Sequence, residues 1–210
     1  ANRYAGYYFA APGAVRMENM LVSWMADITG YPATAAGNLT SGGSLANLLA
    51  IVTARDTSGI SGDKIGRSVI YLTEHTHHCI DKASHVTGLN GTIKRQVPVD
   101  TRYRLDAAAL RRVIAADRAA GLNPFLVIAS AGTTNTGSVD PLPDIADIAA
   151  QNDCWMHCDD AYGGFFILTP EGRQILTGLN LSDSLVMDPH KTLFLPYGTG
   201  ALLVKDGAKL

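Results

Sequence analysis

Charge is scarce in this 210-residue chain, and what there is does not gather. Acidic and basic residues make up 17% of it, the formal net charge is −2, and neither sign forms a run. Without a basic stripe there is no footprint for nucleic acid or for an anionic membrane surface, so a small anion is the remaining class of charged partner. Long apolar runs are missing too: no uninterrupted stretch reaches the ~18 residues that a membrane-spanning helix requires. Cysteine is limited to Cys79, Cys154 and Cys158. An odd number, with no secretory-signal pattern in residues 1–13, predicts reduced thiols in a cytoplasmic protein. No internal repeat, low-complexity segment or linker interrupts the chain. Apolar material, at 47%, is enough for one sizeable core.

Periodicity divides the chain into alternating helices and strands. Met17, Met20, Leu21, Trp24, Met25 and Ile28 recur at steps of three and four, and a methionine-rich stripe of this kind reads as core packing. Leu45, Leu48, Leu49 and Val52 mark a second helix, directly after Gly37-Asn-Leu-Thr-Ser-Gly-Gly-Ser44. A polar loop over residues 56–67 precedes a strand, Val69-Ile-Tyr-Leu-Thr73; residues 92–99 and 199–205 read as further strands, and 106–120 as an alanine-rich helix. Phe125-Leu-Val-Ile-Ala-Ser130 is continuously apolar, as a strand covered on both faces of a parallel sheet must be. Asp140-Pro-Leu-Pro143 leads into a short helix ending at Ala150. The alternation predicts an α/β fold, a mostly parallel sheet with helices on both faces.

Five polar segments punctuate this pattern. The apolar run 184–187 ends in Asp188-Pro-His-Lys191. Pro189 cannot continue a strand ladder, so the backbone must leave the sheet there and carry His190 and Lys191 beyond a strand's carboxyl end, where ligands bind in open α/β sheets. Trp155-Met-His-Cys-Asp-Asp-Ala-Tyr-Gly-Gly164 is a strand with Trp155, His157 and Asp159 on one face and Cys154, Met156 and Cys158 on the other. Its consecutive acids, Asp159 and Asp160, are expected at the sheet's edge, where an unanswered carboxylate is costly and a cation is wanted. Glycines at the start of the second helix aim unpaired N–H groups and the positive end of the helix dipole at the turn, which suits a phosphate and equally allows a plain serine-capped helix. Ala131-Gly-Thr-Thr-Asn-Thr-Gly137 is a polar loop at a strand end. Glu74-His-Thr-His-His-Cys79 invites a zinc reading, but no second, spaced pair of ligands completes it.

Taken in order, His157-Cys-Asp159-Asp-Ala161-Tyr-Gly-Gly164 followed by Asp188-Pro-His-Lys191, with the glycine turn, the histidine segment and the threonine loop before them, resemble one family. It is the pyridoxal-phosphate-dependent amino-acid decarboxylases of the aromatic amino acid, histidine and glutamate decarboxylase group (group II). The resemblance covers nearly the whole chain. It implies an aspartate-aminotransferase-like (fold type I) large domain over residues 1–210, pyridoxal 5'-phosphate as cofactor, no metal, and a small-molecule substrate, an L-amino acid. By the same resemblance Lys191 carries the cofactor as a Schiff base, and Asp159 holds the ring nitrogen. His77 stacks on the ring, with Ala161 on the opposite ring face. Gly43 and Ser44 contact the phosphate, Thr134 lies beside the cofactor, and Asp188 and His190 face it. Lys191, His77 and Asp159 are the catalytic set. The family forms homodimers and extends beyond both ends of this chain, so the 210 residues alone are expected to be inactive. Two positions depart from it: Asp160 stands where relatives commonly have a small residue, and Thr192 where they frequently have tryptophan.

Other chemistries share parts of this set. An aminotransferase or a carbon–carbon lyase of the same fold would use the same lysine, acid and phosphate turn. Gly42-Gly-Ser-Leu-Ala46 is half of the G-x-S-x-G nucleophile elbow, which would make Ser44 a hydrolase nucleophile, although it fails at the last position. A catalytically inert family member is the non-enzymatic alternative.

Overall fold

The computed structural model describes residues 6–210. In chain order the elements are α1 (Pro12–Thr29), β1 (Ala36–Thr40), α2 (Gly43–Thr57), β2 (Ser68–Leu72), α3 (Cys79–Val86), β3 (Ile93–Gln96), α4 (Ala107–Ala119), β4 (Asn123–Ser130), α5 (Leu142–Gln151), β5 (Trp155–Asp159), α6 (Pro170–Ile175), β6 (Ser184–Met187), α7 (Pro189–Thr192) and β7 (Gly200–Val204). The strands form one seven-stranded sheet in the order β1-β7-β6-β5-β4-β2-β3. From β3 to β6 every neighbouring pair is parallel, while β7 runs antiparallel to both β6 and β1.

Alternation along the central strands sorts their side chains onto two cores. Tyr71, Val127, Ala129, Met156, Cys158, Leu185 and Met187 pack on one face with Leu110 and Ile114 of α4 and Ile145 and Ile148 of α5. Ile70, Leu72, Leu126, Ile128, Trp155 and Val186 pack on the other, against Ala46, Ala50 and Ile51 of α2 and Ile80 and Ala83 of α3. Residues 124–130 of β4 are all buried, which explains the unbroken apolar run: a strand with helices on both sides has no solvent face for a polar residue to occupy. The helix ends follow local chemistry as well. Asp106 caps α4 by accepting from Ala109 N–H at 3.0 Å, and proline opens α5 and α7, where a missing N–H costs nothing.

Three expectations need correction. The stripe on α1 is core only at its end: Met25 and Ile28 pack, but Met17 and Met20 are 63% and 62% exposed, and Leu21 and Trp24 are also open. The face that packs on β1 and β7 is Val22, Met25, Ala26 and Thr29, because periodicity identifies an apolar side of a helix but not what covers it. Second, part of the presumed glycine turn is the edge strand β1, whose Ala-Gly-Asn-Leu-Thr sequence has neither alternation nor β-branched density. Its Gly37 is required by packing, since a Cβ there would sit 2.2 Å from the Leu202 carbonyl oxygen. Third, Asp159 and Asp160 follow the middle strand of the seven, not an edge, so their surroundings are far drier than an edge would offer.

Candidate active site

The carboxyl ends of β4, β5 and β6 and the amino end of α2 meet around a cavity of about 410 Å³, within the usual size of a small-molecule site. After Met187 the chain turns at Asp188, and Pro189 starts the four-residue α7, which presents His190 and Lys191 to that cavity. Asp188 is 1% exposed. Its carboxylate lies 3.2 Å from Lys191 Nζ through Oδ2, while Oδ1 has no partner among the described residues. Two glycines make room for it: a Cβ on Gly43 would stand 2.8 Å from Oδ2, and one on Gly200 2.7 Å from Oδ1. His190 Nδ1–H donates to the Thr199 carbonyl, which fixes the ring against the start of β7.

At the amino end of α2, Gly42 adopts φ 138°, a left-handed conformation natural to glycine alone. The N–H groups of Gly43 and Ser44 occupy the first helical positions, where no intrahelical acceptor exists, and they border the cavity. A carboxylate or phosphate there would meet both N–H groups and the positive end of a 15-residue helix.

Asp159, at the end of β5, borders the same cavity. Its carboxylate accepts from Ala161 N–H at 3.2 Å and from Asn47 Nδ2–H at 3.2 Å. Burial pushes its pKa up; the Ala161 N–H, Lys191 and His77 oppose that rise, and Asp188 adds to it. This is a carboxylate with hydrogen bonds but no adjacent cation, and it wants one. Asp160, one residue on, points away from the cavity, with its oxygens crowding Gly163 and Gly164. Both oxygens are buried without a partner among the described residues, and burial first, then Asp159, drive its pKa far upward.

His77 precedes α3, and its Nδ1 accepts from Cys79 N–H at 3.2 Å. Burial lowers its pKa, and His78, whose ring centroid is 4.2 Å away, lowers it further. The ring at the cavity wall is therefore a neutral, flat surface at neutral pH. Thr134 lies exposed on the rim, in a loop held by Thr133, Thr136 and Ser138 hydroxyls.

All nine residues singled out from the sequence, Gly43, Ser44, His77, Thr134, Asp159, Ala161, Asp188, His190 and Lys191, line this one cavity. Asn47, Ser130, Tyr162 and Tyr197 line it too and were not anticipated. Asn47 was within reach of sequence reasoning, because it lies one helical turn after Gly43 and so shares its face. His75 reaches the wall while His78 stays exposed, and His157 is buried in hydrogen bonds away from Cys158, on the opposite face of β5. The hydrolase pairing is not formed: among the described residues no histidine hydrogen-bonds Ser44, and the Nδ1 atoms of His77 and His190 are engaged elsewhere.

A phosphate-bearing aromatic aldehyde fits these donors: free N–H groups for the phosphate, an amine for the aldehyde, and a carboxylate lacking a cation for a protonated ring nitrogen. Comparison with known proteins agrees. The model of the pyridoxal-dependent decarboxylase conserved domain matches residues 1–210. An aromatic-L-amino-acid decarboxylase of Bacillus atrophaeus is 38% identical over 209 residues, covering 100% of this chain and 43% of that protein. Among solved structures, the glutamate decarboxylase domain of diaminobutyrate-pyruvate transaminase and L-2,4-diaminobutyrate decarboxylase from Vibrio parahaemolyticus superposes with a TM-score of 0.94 at 32% identity, covering 99% of this chain and 48% of that one. Oryza sativa TDC with PLP and tryptamine gives a TM-score of 0.89 at 34% identity, covering 96% and 44%. The chain thus spans less than half the length of the relatives it matches. The mostly parallel sheet is that of fold type I. On sequence and structure together, the chain belongs to the pyridoxal-dependent decarboxylase family.

Proposed function

We propose that this cavity holds pyridoxal 5'-phosphate and that the whole protein removes the α-carboxylate of an L-amino acid, releasing CO2 and an amine. The observation that carries the reading is the convergence on one cavity of the Lys191 amine, the Asp159 carboxylate and the open N–H groups of α2. When bound, the cofactor supplies the electron sink for the pair left on the α-carbon as CO2 departs. The chain's own residues do the rest. Lys191 Nζ is the amine that would take the aldehyde carbon, with release of water, and pass it on to the substrate amine. Asp159 keeps a proton on the ring nitrogen, because an opposite charge in a dry site favours the protonated form. Gly43 and Ser44 N–H groups bind the phosphate, with Thr134 at the rim. The neutral His77 ring and Ala161 would cover the cofactor's two faces. Asp188 orients Lys191, and the Thr199 carbonyl orients His190.

The substrate is an L-amino acid, as in relatives named for aromatic L-amino acids and for L-2,4-diaminobutyrate. The exposed apolar stripe Met17, Met20 and Trp24 on α1 supports a homodimer. Three buried free cysteines support a reducing, cytoplasmic setting, and among the described residues no helix is long and apolar enough to cross a membrane. The test is product analysis by mass spectrometry on the whole protein, with pyridoxal phosphate and a panel of acidic, aromatic and diamino acids. The expected product is the amine that has lost CO2; an oxo acid would make the protein an aminotransferase, and no conversion would make it an inert relative.

A further inference from the structure

Behind Asp159 four polar side chains form an unbroken buried line. Trp155 Nε1 is 2.8 Å from Ser184 Oγ, which is 2.8 Å from His157 Nδ1. His157 Nε2 is 2.7 Å from Asn47 Oδ1, and Asn47 Nδ2 is 3.2 Å from Asp159 Oδ2. His157 and Ser184 are 0% exposed and Asn47 1%, so no water completes their valences from the side. The Asn47 end sets the direction of the line. From one end, an indole N–H only donates, so Ser184 Oγ accepts it and gives its own hydrogen to His157 Nδ1. From the other end, Asn47 Nδ2 faces two acceptors, the Gly43 carbonyl at 2.9 Å and Asp159, so its Oδ1 must face His157. The Asn47 end therefore places a hydrogen on His157 Nε2, and the Ser184 hydroxyl can supply the hydrogen that Nδ1 of a neutral ring accepts. Burial lowers the His157 pKa to about 4 and so keeps that form at neutral pH.

We propose that Asn47, His157, Ser184 and Trp155 are positioning residues: a one-way hydrogen-bond line that presents a fixed N–H to Asp159 Oδ2 and so keeps this carboxylate ionised and aimed into the cavity. The role rests on the reading of Asp159 as partner of the cofactor's ring nitrogen. The need for it is physical. A buried acid tends to take up a proton, and a neutral Asp159 would be no counter-ion. The other groups that face it are divided: the Ala161 N–H and Lys191 favour the charged form, His77 does so only where it is protonated, and Asp188 opposes it. The line adds a donor that cannot rotate away, because its amide is pinned at Gly43 and its histidine at Ser184. It also ties the cofactor's ring end to its phosphate end, since Asn47 bonds the carbonyl of the first residue of α2.

The experiment begins on the cofactor-free protein. With ¹⁵N-labelled histidine, His157 is expected to show a hydrogen on Nε2 and none on Nδ1, unchanged between pH 6 and 8. With ¹³C-labelled aspartate, Asn47→Leu and His157→Leu are expected to raise the Asp159 ionisation midpoint by about one pH unit, tenfold in the acid constant. His157→Gln, whose amide N–H can still reach Asn47 Oδ1, is expected to restore it. Should the leucine variants fail to fold, Ser184→Ala supplies a second test: with the hydroxyl gone, the Asn47 end alone is expected to keep the hydrogen on His157 Nε2, and its movement to Nδ1 would show that Asn47 does not fix the line. Pyridoxal phosphate titration is then expected to give about tenfold weaker binding in Asn47→Leu, and unchanged binding in His157→Gln. A hydrogen found on His157 Nδ1, or an Asp159 midpoint unmoved in folded variants, overturns the proposal. Failure of the wild-type protein to bind the cofactor overturns instead the reading of the site, while the Asp159 midpoints still decide whether the line works.

Discussion

Lys191 Nζ stands 3.2 Å from Asp188 Oδ2, within one turn of the chain. Asp188 is closed in by Gly43 and Gly200, and its other oxygen has no partner among the described residues, whereas the lysine side chain is 36% exposed on the cavity side. The acid is therefore the fixed member and the amine the movable one. This arrangement holds an amine at the mouth of the site without burying it, as a group that must engage and release a bound aldehyde requires.

The first prediction concerns that amine. Borohydride reduction of the protein loaded with pyridoxal phosphate, followed by peptide mapping, is expected to leave the pyridoxyl mass on Lys191. Label on Lys82 or Lys205 would remove Lys191 from its role. Lys191→Ala is expected to abolish the covalent label while leaving the phosphate turn intact.

Gly43→Ala tests the crowding around Asp188. The added Cβ would lie 2.8 Å from Asp188 Oδ2 and 3.1 Å from Ala161 Cβ, and overpacking of this kind costs about 1–3 kcal/mol. Urea denaturation is expected to show that loss. Because both neighbours and the glycine itself border the cavity, pyridoxal phosphate binding is expected to weaken about tenfold or more, roughly 1.4 kcal/mol. A variant with wild-type affinity would mean that Gly43 does not touch the phosphate.

Asp159→Asn keeps shape and removes charge. Cofactor is expected to bind more weakly yet still fill the site when in excess, because α2 and Lys191 are untouched, while turnover of the whole protein falls about 10²-fold or more, the scale for losing one electrostatic partner of the reacting group. Absorbance confirms occupancy and amine release gives the rate. Near-normal turnover with full occupancy would show that another group holds the ring nitrogen.

Residue order alone exposed the parts of this molecule that depend on neighbours along the chain. β5 and β6 have the bounds that alternation and Pro189 gave them, and the nine cavity residues follow strands or open a helix, positions that topology forces to one end of the sheet. What escaped depends on partners far away. β1 is a strand only because β7, more than 150 residues later, pairs with it; its own five residues carry no strand pattern. The apolar stripe of α1 shows the converse, a clear local pattern with little of the chain packed over its first half. The line from Trp155 to Asn47 includes a hydrogen bond between residues 110 positions apart, and nothing local distinguishes its histidine from a zinc ligand or a core residue.

Asp160 provides the last prediction, and it is one of stability. The carboxyl is 0% exposed, neither oxygen has a partner among the described residues, and burial ahead of the Asp159 charge raises its pKa well above the ordinary range. The folded protein thus holds a proton that the unfolded chain releases once pH passes the usual aspartate value of about 3.9. Stability must then fall as pH rises from there to the folded-state value, by about 1.4 kcal/mol per pH unit, and level off beyond it. Asp160→Asn carries no such proton. It is expected to match the wild type near pH 4 and to become progressively more stable than it toward pH 8, as read by urea denaturation across that range. Asp160→Ala separates the charge from lost packing: its difference from the wild type is expected to follow the same pH curve, offset by a constant. A difference between Asp160→Asn and the wild type that stays flat from pH 4 to 8 would mean that the carboxyl finds a partner in solution and ionises normally.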